Sequence, residues 1–147
     1  MLIGGSTIIS KKLYELTFAG GLAFWATNFA ISRTPIAAEY RAALSISYLP
    51  MLLESLIGGL FIGFCFSYFL LRFFDKIPTN DPIHKSVILS FIVLIIVTML
   101  IEVPAKFLAA PNDALHYFLI GGMFNVLRIL ALGIVIGYLN DKLIGGA

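Results

Sequence analysis

Four apolar runs, each about as long as a membrane-crossing helix and separated only by short polar stretches, constrain this chain more than any other feature. They cover roughly residues 13–32, 48–73, 86–103 and 114–139, and a hydrocarbon core of about 30 Å takes about 20 helical residues to cross. Within each run the hydrophobicity is continuous. A membrane barrel would need alternation instead. Composition agrees: 60% of the residues are hydrophobic and only 12% are charged, too few for the wetted surface of a soluble domain. The expectation is an all-α integral membrane protein, a single domain over residues 1–147 built as a four-helix bundle.

Punctuation between the runs fits helix ends. Pro50 falls in a first turn, "PTNDP" precedes the third run, and "PNDA" precedes the fourth, where Asn112 or Asp113 is a cap candidate. The stretch "TPIAAEYRAALS" between the first two runs reads equally as a short interfacial helix or as an ordinary loop. The opening "MLIGGSTIIS" is apolar but too short to span, so it is expected at the interface or disordered.

The positive charges set an orientation. With the N-terminus inside, Lys11, Lys12, Arg72, Lys76, Lys85 and Lys142 face the cytoplasm, whereas Arg33, Arg41 and Lys106 face out. Both termini are then cytoplasmic, the first run is retained rather than cleaved as a signal peptide, and the short loops suggest a prokaryotic plasma membrane.

The string "LIGGLF" at Leu56 recurs as "LIGGMF" at Leu119, and "RFFDK" at the end of the second run resembles "YLNDK" at the end of the fourth. Two tandem helical hairpins of equal orientation would produce this pattern.

Arg128 breaks the last apolar run near its middle, in "GGMFNVLRILALGIVIGYL". An arginine at the bilayer centre costs roughly 3 to over 10 kcal/mol unless it snorkels or finds a partner. Counting a rise of about 1.5 Å per residue from the membrane faces places Glu54, Glu102 and Asn28 at similar depth in the outer half. The Arg128 side chain points back towards the N-terminus of its helix and reaches that layer. The expected site is therefore a polar cluster of Glu54, Glu102, Arg128, Asn28 and Asn125, with Lys106 at its rim. Helical spacing assigns inward faces to Glu54, Gly58 and Phe61, to Thr98, Glu102 and Lys106, and to Gly121, Asn125 and Arg128. "GLFIG" and "GIVIG" are GxxxG patterns that serve either dimerisation or packing within one bundle.

Other chemistries find little support. His84 and His116 fall on opposite sides of the expected membrane and cannot share a metal or haem, and Cys65 is the only cysteine. Nucleophile-elbow, phosphate-loop, CxxC and HExxH motifs are absent, so no cofactor is expected. A net charge of +2 is too small for a nucleic-acid partner.

Three functions remain in competition. The first is a small oligomeric transporter or channel lined by the polar cluster. A second is a non-catalytic membrane subunit or assembly factor, in which the charges fix helix register or meet a partner helix. The third is a lipid- or quinone-directed enzyme using a glutamate as acid or base, although no second catalytic group is recognisable. Membrane lipids surround the chain in every case.

Overall fold

The computed structural model describes residues 2–77, 79–109 and 112–145; the side chains of residues 2–10, 82, 106, 109 and 143–145 lie outside that description. The described residues are all-α. Helix α1 (Leu2–Ser32) is followed by a short helix α2 (Pro35–Ala43), then α3 (Tyr48–Arg72) and a 3₁₀ turn at Phe74–Lys76. After them come α4 (Pro82–Val97), a π-helical turn (Thr98–Glu102), α5 (Val103–Ala109) and α6 (Ala114–Gly145).

Local chemistry accounts for the boundaries. Thr34 caps α2 by accepting a hydrogen bond from the Ala37 amide at 3.3 Å, with Pro35 in the first turn. Asp81 caps α4 in the same way, accepting from the Ile83 amide at 2.9 Å, ahead of Pro82. Helix α2 ends in a Schellman arrangement, in which the Ser45 amide donates to the Ala42 carbonyl and the Ile46 amide to the Arg41 carbonyl. Its left-handed position, usually glycine, is Ser45 at φ 57°.

Pro104 does not end the third apolar run. Lacking an N–H, proline cannot bond the carbonyl four residues back, and the helix widens just before it into the π turn, where the Val103 amide donates to the Thr98 carbonyl. Such turns re-aim side chains. Met99, Leu100 and Ile101 are exposed in succession while Glu102 is buried.

Packing is uneven. Helix α1 lies between α3 and α6, and α6 in turn packs on α4, while α3 and α4 meet only sparsely. The core between them is Leu16, Phe24, Phe66, Leu70, Ile129, Leu132 and Ile136. Adjacent glycines let α1 fit its position: a Cβ at Gly20 would strike the Ile136 side chain of α6, and one at Gly21 would stand 3.1 Å from the Leu60 Cα of α3.

Several expectations need adjustment. Three helical stretches, Tyr48–Arg72, Ile83–Ala105 and Ala114–Lys142, are long and apolar enough to cross a membrane. Helix α1 is not among them, because Glu15, Thr17, Thr27 and Asn28 interrupt its apolar sequence; the expected span 13–32 is a helix packed between α3 and α6 and less apolar than the other three. The segment 2–10 is helical and continuous with α1.

The inward face of α3 is also different from the one expected. Ser55, Gly59, Gly63, Phe66, Ser67 and Leu70 are buried, whereas Glu54 is exposed and Phe61 is 69% exposed. The choice follows from close approach to α1, since a Cβ on Gly63 would meet the Thr17 carbonyl oxygen at 3.0 Å. Both GxxxG pairs pack inside the chain: Gly59 and Gly63 face α1, and Gly133 faces Ser90 and Phe66. The recurring LIGG strings occupy different environments, because Gly59 is buried in the first and Gly121 in the second.

Candidate functional site

Arg128 lies near the middle of α6, and two amides hold its guanidinium. Nη1 donates to Asn28 Oδ1 of α1 at 2.8 Å, and Nη2 donates to Asn125 Oδ1 one turn earlier on α6. The planar fork addresses both at once, which a lysine ammonium on one flexible stem does less well. The Phe24 ring lies beneath the guanidinium, 5.1 Å from centroid to Cζ. Asn28, itself buried, also donates to the Met51 sulfur at 3.1 Å, so one amide links α1, α3 and α6.

Around this group is a cavity of about 240 Å³ whose walls include Asn28, Glu54, Glu102 and Arg128, together with Tyr40, Arg41, Met51 and Phe124. Four of the residues expected from sequence therefore share one chamber, and Asn125 reaches it through its bond to Arg128. The carboxylate layer differs in detail from expectation. Amides, not glutamates, are the hydrogen-bond partners found at Nη1 and Nη2, while Glu102 lines the same chamber. Glu54 stands at the exposed edge of the chamber. Lys106 lies in α5, and the expectation for its side chain falls outside the described residues.

Helix α2 forms the roof. Its Ala37 is buried, and its Tyr40 packs edge-on against Phe124, 5.3 Å between centroids. Arg41 Nη1 donates to the Ser32 carbonyl at 3.2 Å, and its guanidinium lies 4.8 Å over the Tyr48 ring. Ser32 Oγ and the Tyr48 hydroxyl are hydrogen-bonded at 3.1 Å. A second cavity, of about 450 Å³, is lined by Arg33, Thr34, Pro35, Ala38 and Tyr48 together with Ser32 and Arg41. Ser32 and Arg41 line both cavities.

The sequence reading missed Tyr40, Arg41 and Tyr48. Their signal was present: an aromatic–basic pair on a short capped helix beside the polar layer. The two histidines stay apart from the site, His84 standing 3.3 Å from Asp81 and His116 packing on Tyr117. Compared with known proteins, the chain matches no family model, no curated protein and no solved structure.

Proposed function

We propose that this membrane protein is a carrier for a small polar or charged solute, with the Arg128 chamber as its binding site and Arg41, Ser32 and Tyr48 as its gate. The observation that carries the reading is the pair of cavities meeting at Ser32 and Arg41, the inner one holding both signs of charge at Arg128 and Glu102. Below the chamber the apolar core of Leu16, Phe24, Phe66 and Leu132 closes the path. Access from one end only suits a carrier better than an open channel, because a carrier exposes its site to one side at a time.

On this reading α1 joins α3, α4 and α6 as a fourth crossing helix, its polar residues sheltered by its neighbours rather than by water. In the same reading both termini lie on the cytoplasmic side of a prokaryotic plasma membrane and the gate lies outside, an orientation that the distribution of basic residues supports. Four helices enclose little volume, so a homo-oligomer is the expected working unit. Glu102 supplies the negative charge that meets a cationic part of the solute.

The test is charge movement across proteoliposomes on rapid exchange among protons, alkali cations, halides and amino acids. Wild-type currents that disappear in Glu102→Gln and Arg128→Met, with helicity retained, support the proposal. Silence of the wild type across the whole panel, combined with co-purification of larger subunits, replaces it with the reading as an accessory subunit. The bond from Arg128 to Asn28 would then serve to hold α6 against α1.

A further inference from the structure

The sparse meeting of α3 and α4 leaves a crevice at the end of the chain away from α2. It has a volume of about 610 Å³, within the roughly 300–1,000 Å³ of small-molecule sites. Its walls run from Phe61 to Phe73 on α3 and from Ile88 to Val97 on α4. At about 1.5 Å per residue those walls are about 18 Å and about 14 Å long, close to the half-thickness of about 15 Å of a hydrocarbon core. The crevice therefore has the length of one leaflet.

Its chemistry is polarised in the same direction. The lining is apolar throughout except for Cys65 part-way along and Lys76 at one end. Lys85 does not line the slot but adds positive charge behind that end: it is buried, donates to the Phe74 carbonyl, and lies 4.1 Å over the Phe74 ring. Ile88 and Leu89, one turn further along α4, line the crevice. Segment 72–85 carries Arg72, Lys76 and Lys85 against Asp75 and Asp81, and Asp81 is already engaged with the Ile83 amide and His84. A long apolar slot ending in positive charge is complementary to a molecule with an acyl tail and an anionic head.

We infer that the crevice between α3 and α4 is a binding site for an anionic phospholipid, its acyl chain along Phe61–Phe73 and its net-negative headgroup at Lys76, with Lys85 adding positive charge behind it. The occupant completes the contact that α3 and α4 do not make with each other. This site is independent of the Arg128 chamber and of any transport activity.

Cys65, the single cysteine of the chain, lies in the crevice wall and reports on its occupancy. Native mass spectrometry of the full-length protein in a neutral detergent, titrated with phosphatidylglycerol or with phosphatidylcholine of identical chains, measures binding. Alkylation of Cys65 under the same conditions locates it. Phosphatidylglycerol is expected to bind at least about fivefold more tightly, the equivalent of about 1 kcal/mol for a lysine near a net-anionic headgroup, which zwitterionic phosphatidylcholine lacks, and to slow the alkylation. Lys76→Gln, at an exposed position, should remove about fivefold of that affinity and leave phosphatidylcholine binding unchanged. Ile92→Trp, which fills the slot, should weaken both lipids. Equal affinity for the two lipids overturns the inference, as does a phosphatidylglycerol preference that leaves Cys65 reactivity unaltered. A dimer in place of bound lipid, with Cys65 protected by the second copy, also overturns it.

Discussion

Arg128 of α6 donates a 2.8 Å hydrogen bond to Asn28 of α1, joining residues 100 positions apart in the chain. This bond does two things at once. It satisfies part of a charge that would otherwise be costly at membrane depth, and it sets the register of two helices whose facing surfaces are otherwise apolar.

Asn28→Ala removes that acceptor and should destabilise the fold by about 1–2 kcal/mol, between the mean for interhelical hydrogen bonds in membranes and that for bonds to a charge. Reversible unfolding in mixed micelles measures the loss. In a double-mutant cycle with Arg128→Met the two effects should be strongly non-additive, because the second substitution removes the charge that the first leaves unpaired.

The glycines of α3 separate by environment. Gly59→Ala places a methyl 2.8 Å from the Phe24 ring and 3.1 Å from the Gly21 carbonyl oxygen, so a cost of about 1–3 kcal/mol is expected from forced separation of α1 and α3. Gly58→Ala meets nothing within 4 Å, and better helix propensity should make it neutral or stabilising by up to about 1 kcal/mol. Thermal unfolding of the two variants side by side distinguishes adjacent positions with opposite signs.

Ser45 holds a left-handed backbone at φ 57°, a conformation disfavoured by about 1–2 kcal/mol for a residue with a Cβ. Ser45→Gly should recover about 0.5–1 kcal/mol after the greater chain entropy of glycine is subtracted. The gain should appear as slower hydrogen exchange in α2, whose end this turn closes.

Arg41→Ala removes both the bond to the Ser32 carbonyl and the stacking on Tyr48. Together these contacts contribute about 1–2 kcal/mol, so amides of α2 should exchange about tenfold faster. In the carrier reading the same substitution leaks solute past the gate. Unchanged exchange in α2 would show that the roof is held by Ala37 and Tyr40 alone.

Hydropathy, proline positions and helix period, all readable within a few residues, determined by themselves that this chain is helical and membrane-directed. They also located the helix beginnings at Tyr48 and Ala114 and marked Asn28, Glu102, Asn125 and Arg128 as polar groups needing shelter. These properties are local, so no partner helix has to be known to read them. Which face of α3 turns inward was decided only by tertiary packing. A helix apolar on all sides carries no stripe to choose between Gly58 and Gly59; the choice depends on how closely Gly63 can approach the α1 backbone. The same holds at the site: two amides meeting Arg128, a π turn burying Glu102, and α2 lying across the chamber are properties of fit between distant segments. The sequence named the polar residues, and only the folded chain determined which of them touch.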